Sequence, residues 1–421
     1  MKLLIKAFTT LVSFLALTNS ALSANIITAQ INTKSTNNIK NDVELLVFGN
    51  NTFACNLYRQ VRSTQKGNLF LSPYSISIAL AMTSAGAKGE TSQEINKVLN
   101  FQLDQTRLHP AFKQLINNVE SSENNKNQLH TANRLWVQKG LTVLDSFAAI
   151  ALKNYAANPQ EIDFNINPES ARQTINNWIS QKTYNKITDI IRKGIIDAST
   201  QIILTNAIYF KSAWEIPFDP KLTKEEMFTI APGKQVNVPM MYQKNTGIFG
   251  YNKFDDLQVL EIFYAEGKLS MVILLPEKID GLADIESQLT GEKLQKWLHF
   301  SSGIYQATKL EVWLPKFKIS SEFDLKNTLT NMGLPLIFSK TGDLSGINGN
   351  KGLWISTILH KAFVEVNEQG TEAGAATMGG GTRGKVKEVI FRVDRPFIFL
   401  IRDIESNSIL FLGRVVNPVS L

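Results

Sequence analysis

The chain has 421 residues, 43% of them hydrophobic and 19% charged, with a formal net charge of +7. That content supports a large buried core. The basic excess is spread along the chain and not clustered with aromatics, which excludes a nucleic-acid-binding surface. A single cysteine, Cys55, rules out an internal disulfide. Its place on the helical pattern Phe53, Ala54, Leu57, Tyr58, Val61 makes it a small buried hydrophobe and not a nucleophile.

Met1–Ala24 carries Lys2 and Lys6, then the apolar stretch Ala7–Leu17, then Ala21-Leu22-Ser23-Ala24. Those parts in that order read as a secretory signal peptide at residues 1–24, and the apolar stretch is too short to cross a bilayer. The expectation is a secreted or extracytoplasmic protein with no membrane attachment after cleavage. Asn25–Asp42 is Asn/Thr-rich and unpatterned, as a flexible lead-in would be. Length alone suggests two or three domains, yet no Pro/Gly/Ser-rich linker or charge block divides residues 43–421.

Ser72-Pro73 starts a helix over Tyr74–Ala85, and Thr91–Glu94 reads as a capping box ahead of Ile95 and Val98. Gln128–Val137 reads as a strand, Asp145–Tyr155 and Pro168–Gln181 as helices. Gln201–Lys211 is apolar almost throughout, which predicts a strand buried on both faces. After Trp214 the chain is strand-rich, with Met227–Ile230, Val236–Met241, Gln258–Tyr264 and Leu269–Leu275. Helical patterns return at Leu282–Leu289 and Glu292–Leu298. Leu310–Ser320 reads as one strand and Phe323–Met332 as a helix, before final strands at Ile398–Arg402 and Ile409–Val415. Helices ahead of a strand-rich half give an α+β fold.

Between the strand-like runs Leu359–Asn367 and Val386–Val393 lies Glu368–Lys385, EQGTEAGAATMGGGTRGK. A loop this long in a compact domain is functional or disordered. Read as a strand, one face carries Thr371, Ala373, Ala375, Thr377 and Gly379, all small and uncharged; the other carries Glu372, Gly374, Ala376 and Met378. The small face could enter the middle of a sheet without a clash. Gly379, Gly381 and Gly384 satisfy G-x-G-x-x-G, but a strand and not a helix follows, so nucleotide binding is excluded. Only four histidines are present (His109, His130, His299, His360), with no G-x-S-x-G elbow and no metal-spaced cluster. No enzyme, metal or cofactor reading is supported.

Lys361–Thr377 (KAFVEVNEQGTEAGAAT) resembles the hinge of the serpins, the serine protease inhibitor family. Arg395–Phe399 (RPFIF) and Gly413–Pro418 (GRVVNP) resemble its C-terminal signature. Asn68–Ile76, Leu204–Phe218, Val238–Met241, Leu314–Phe317 and Asp343–Gly346 look like further blocks in the same order. The resemblance implies one large domain of serpin fold, with a dominant mixed β-sheet, smaller sheets and about eight or nine helices. It also implies a reactive-centre loop at about residues 368–394, which a protease cleaves and which then inserts into the central sheet as a new strand, a behaviour already known as a case of strand addition. The implied partner is a target serine protease held as a covalent acyl-enzyme by a monomeric inhibitor. A heparin-like cofactor would need an early basic helix, and His109–Asn118 carries only Lys113.

Residue by residue, the resemblance assigns Glu368, Gly370, Thr371, Glu372, Ala373, Gly374, Ala375 and Ala376 to the hinge. It assigns Ser72, Ser75, Asn206 and His360 to a buried polar shutter, and Trp214 to the breach where insertion begins. Gly374 departs from the usual small side chain. Counting forward from the hinge puts the scissile bond after Gly384, counting back from Pro396 puts it after Lys385, and a loop shortened by one puts it after Arg383. The two cations favour a trypsin-like target; Gly384 favours an elastase- or subtilisin-like one. A non-inhibitory carrier or chaperone and an inhibitor of papain-like cysteine proteases are the remaining readings.

Overall fold

The computed structural model describes residues 38–120, 127–247, 249–299, 308–371 and 388–419. The signal peptide expected at residues 1–24 and most of the expected lead-in lie outside them. Helix α1 spans 38–64, so the lead-in read as ending at Asp42 ends earlier. Asp42 is buried and paired with Arg107, a contact between distant residues that local composition does not carry.

Then follow β1 (Leu69–Leu71), α2 (Pro73–Ser84), α3 (Gly89–Leu99), α4 (Gln105–Glu120), β2 (Asn127–Gln138), α5 (Asp145–Tyr155), β3 (Gln160–Ile162), α6 (Pro168–Lys182) and β4 (Ile202–Ala213). The strand-rich half holds β5 (Lys224–Ala231), β6 (Lys234–Gly247), β7 (Gly250–Lys253), β8 (Leu257–Phe263) and β9 (Leu269–Pro276). After α7 (Leu282–Gln288) and α8 (Gly291–Trp297) come β10 (Thr308–Pro315), β11 (Phe317–Asp324), α9 (Lys326–Asn331) and α10 (Ser345–Asn348). The chain closes with β12 (Thr357–Val366), β13 (Gly370–Thr371), β14 (Glu388–Arg392), β15 (Phe397–Asp403) and β16 (Ile409–Val415). Ten helices are present among the described residues, and the four-residue α10 lifts the number above the eight or nine expected.

The main sheet runs β11-β12-β4-β2-β3, with β13 on β4. It is mixed, since β12 is parallel to β4 and β2 to β3. A six-stranded sheet, β1-β16-β15-β9-β8-β7, and a four-stranded one, β14-β10-β6-β5, are the other sheets among the described residues. The inner face of the main sheet packs on the six-stranded sheet through rings such as Phe210 on Phe411 and Phe317 on Phe399. Its outer face is covered by α6, whose Ile175 and Ile179 join Trp136, Tyr209 and Phe363 in a second apolar cluster.

Three local readings give way to tertiary pairing. Leu310–Ser320 is not one strand: β10 belongs to the four-stranded sheet and β11 to the main sheet. The break follows Pro315, and the Lys316 N–H is drawn to Pro239 O at 2.9 Å. Phe323–Met332 is helical only over α9, because Phe323 pairs with His360 across the sheet. Thr91 and Glu94 cap nothing; they lie inside α3 and accept from the N–H groups of Asp343 and Leu336, fastening the 336–346 segment.

Candidate functional site: the seam of the main sheet

β4 is buried at every position but one, and β12 is buried at eight of its ten. Apolar runs of this kind suit a strand covered on both faces. The two pair in parallel from Thr357–Ile203 to Phe363–Tyr209, and there the register ends. Above that point they form a fork, and the chain itself enters it. It turns after β12 through Asn367–Gly370, closed by Asn367 N–H to Gly370 O at 2.9 Å and the return bond at 3.2 Å. β13 then runs antiparallel to β4, Gly370 opposite Ala213 and Thr371 opposite Ser212.

Gly370 makes the turn possible. Its φ is +136°, and a Cβ there would lie 2.2 Å from Ser212 O. Trp214 supports it: the backbone N–H donates to Gln369 O and the indole Nε1–H to Asn367 O, both at 3.0 Å. The indole stacks on Tyr264 with centroids 4.7 Å apart, and the Tyr264 hydroxyl lies 2.9 Å from Thr371 Oγ1, which is fully buried. Glu368 accepts from Thr223 Oγ1 at 2.9 Å and pairs with Lys316 at 2.8 Å. Burial pushes the Glu368 carboxyl up, but Lys316 and Thr223 outweigh it and hold the pKa below the ordinary value.

The structure thus brings Glu368, Gly370, Thr371 and Trp214 together at the fork. Glu372, Ala373, Gly374, Ala375, Ala376, Arg383, Gly384 and Lys385 lie outside the described residues.

Three pairs below the fork, His360 stands opposite Asn206. The His360 Nε2 accepts from Ser72 N–H at 3.1 Å, so Nδ1 carries the proton and donates to Asn206 Oδ1 at 2.5 Å. The Asn206 amide donates to Ser75 Oγ at 2.5 Å and to Asn133 Oδ1 at 2.6 Å. Ser75 Oγ also donates to Asn133 Oδ1, and Ser72 Oγ to Leu410 O at 2.7 Å. All four residues assigned to the shutter therefore meet, and Ser72 doubles as the N-cap of α2. Burial drives the His360 pKa down to about 3, so the imidazole is neutral.

Asn133, Tyr264 and Thr223 belong to the site although no motif marks them, and Lys316 joins them from within the Leu314–Phe317 block. Of the first three, Asn133 had a signal: with Thr131 it interrupts the apolar face Leu129, Leu135, Val137 of β2.

Two outcomes follow. For Gly370→Val, strain and overlap with Ser212 should expel residues 370–371 from the fork. Hydrogen exchange at the Trp214 amide should accelerate about tenfold or more; an unchanged rate would show that the hinge does not depend on this glycine. His360 has a folded pKa below its ordinary 6.5, so its contribution is complete above 6.5 and lost as pH falls from 6.5 toward 3. Thermal melts across that range should show a steeper loss for the intact protein than for His360→Asn. Buried His109, lowered to about 4, leaves a common residual slope.

The profile of the family "Serpin (serine protease inhibitor)" matches residues 48–418. Bovine leukocyte elastase inhibitor is 40% identical over 382 residues, covering 89% of this chain and 100% of that one. Human serpin B3 is 38% identical over 388 residues, covering 88% and 98%. Among solved structures, uncleaved ovalbumin aligns with a TM-score of 0.80 at 30% identity, over 89% of this chain and 100% of that chain. With that match over most of its length, the chain belongs to the serpin family of serine protease inhibitors.

Proposed function

We propose that this chain is an exported suicide-substrate inhibitor of serine proteases with a trypsin-like target. Cleavage of the segment after β13 would let it enter the seam, carrying an acyl-linked protease with it. The observation that supports this most directly is β13: two residues of the loop already stand at the mouth of the seam, antiparallel to β4, with Thr371 turned inward and buried.

Continuing that register predicts the rest of an inserted strand. Ala373, Ala375 and Thr377, the small face, would follow Thr371 inward. Glu372 would stand opposite Lys211 on the outer face, and Thr377 would arrive level with Asn206 and His360, a hydroxyl between groups that the opening separates. About 15 inserted residues form on the order of 20 ladder hydrogen bonds worth about 1 kcal/mol each. Glycine costs at Gly374 and Gly379–Gly381 of roughly 0.5–1 kcal/mol each do not cancel that. The same length spans roughly 50 Å, enough to drag the protease along the sheet. Distorting its oxyanion hole by one donor slows deacylation about 100- to 1,000-fold.

Export rests on the signal-like Met1–Ala24 and the trypsin-like target on Arg383 and Lys385. The names of the relatives favour a second reading, an elastase-like target with Gly384 at the bond. Incubation with trypsin and, separately, elastase distinguishes them. An inhibitor gives an SDS-stable adduct and a short released peptide. A peptide beginning at Gly384 or Val386 supports the trypsin-like reading, and one beginning at Lys385 the elastase-like one. Nicking without adduct, and without a rise in melting temperature, would sink inhibition and favour a carrier or chaperone.

A further inference from the structure

Phe363 and Tyr209 are the last pair of the seam before the fork, and their rings lie 6.0 Å apart on the outer face. His130 of β2 is the next residue in the same row, paired with Tyr209 and stacked 5.8 Å from it. One row of rings therefore crosses β2, β4 and β12, and a strand entering the seam must split it between Tyr209 and Phe363.

The segment after α6 is shaped around this row. Tyr184 and Asn185 are consecutive residues in the left-handed region, φ 50° and 61°. For a tyrosine that conformation is strained, and it is held by Asn185 N–H to Ser180 O at 2.8 Å and Ser180 Oγ to Asn185 Oδ1 at 2.7 Å. The turn lays Tyr184 on His130, 4.4 Å between centroids. It also sets the Lys186 ammonium 5.7 Å from the Tyr209 ring and 5.8 Å from that of Phe363. Beyond it the segment is tied to the far side of the seam, where Lys361 donates to Asp189 O at 3.1 Å and Arg192 pairs with Glu322 at 2.8 Å.

We infer that Lys186 is a positioning residue for strand insertion: by sitting over Tyr209 and Phe363 together, its ammonium holds the fork closed and sets how fast the seam opens. The geometry makes this contact a property of the uninserted state. Adding a strand moves the two rings apart by about 4.8 Å. The ammonium, kept midway, is then roughly 7 Å from each, beyond the ~6 Å reach of a cation–ring contact. Lys318 provides the contrast. It lies 5.3 Å from the Phe363 ring, but it stands on β11, on the same side of the seam as Phe363, so opening leaves its contact intact.

This inference rests on the insertion reading, and the test separates the two. A synthetic peptide with the sequence of residues 371–385 is mixed with the intact protein, and its annealing is followed by the rise in melting temperature. Lys186→Gln should anneal about three- to tenfold faster than wild type. It should melt lower when intact and equal to wild type once the loop is cleaved. Lys186→Arg, which keeps a cation over the rings, should restore the wild-type rate, and Lys318→Gln should leave it unchanged. A wild-type rate for Lys186→Gln, or an equal loss of stability in intact and cleaved forms, overturns the role of Lys186. Should the wild-type protein itself neither anneal the peptide nor gain stability on cleavage, the insertion reading falls first and this inference with it.

Discussion

β4 and β12 are joined over seven residue pairs and then separate, and this unfinished seam constrains what the surrounding residues can be. Both strands are buried on both faces over almost their whole length, so their backbone groups cannot turn to water where pairing stops. Buried N–H and C=O groups need partners, and the chain supplies two residues' worth from its own next segment. That supply requires a turn only glycine permits at Gly370, and a hydroxyl that can be buried at Thr371. A longer strand in the same place would satisfy more of the ladder, and under the proposed function the intact arrangement is a stopping point and not a minimum.

Buried polar groups differ in kind between the seam and the rest of the molecule. Glu286 is buried with Arg414 at 2.7 Å and Arg62 at 2.9 Å, and it accepts from Tyr58 at 2.6 Å. Separating such charges in an apolar interior is costly, and this cluster joins α1, α7 and β16, away from the seam. Under the seam itself the groups are neutral: two serines, two asparagines and an imidazole kept uncharged by burial. Hydroxyls and amides exchange partners at little cost so long as each state satisfies them. The buried charge cluster thus lies away from the seam, and the polar groups buried beneath the paired part of it are neutral.

How much of this was legible in the sequence depends on the range of the forces involved. α5 falls on the residues its period marks, and β4 within a residue or two, because their apolar patterns are local. The start of the hinge shows the same economy, since Gly370 and Thr371 are small and both are buried. Leu310–Ser320 was misread because an alternating pattern does not reveal that the chain changes sheets at Lys316. The helical turn begun at Phe323 was overruled by pairing with His360. Asn133, Tyr264 and Lys186 act through partners between 23 and 177 residues away, as Lys186 to Phe363 shows, and no spacing rule connects them.

On the insertion reading, the two faces of the seam would oppose opening at different depths. On the outer face the ring row at Tyr209–Phe363 stands at the fork itself; on the inner face Asn206–His360 lies three pairs further in, about 10 Å along the strands. An entering strand meets the first before the second. If the register of Gly370 and Thr371 were continued by an inserted strand, the residue reaching the ring row would be Gly374, which has no side chain to occupy the space beneath the α6 segment. Thr377 would reach the polar cluster with a hydroxyl to offer it. On the insertion reading, Gly374 would weaken the strand where it must slip past bulky rings, and Thr377 would bring a hydrogen-bonding group where the buried imidazole and amide would lose each other.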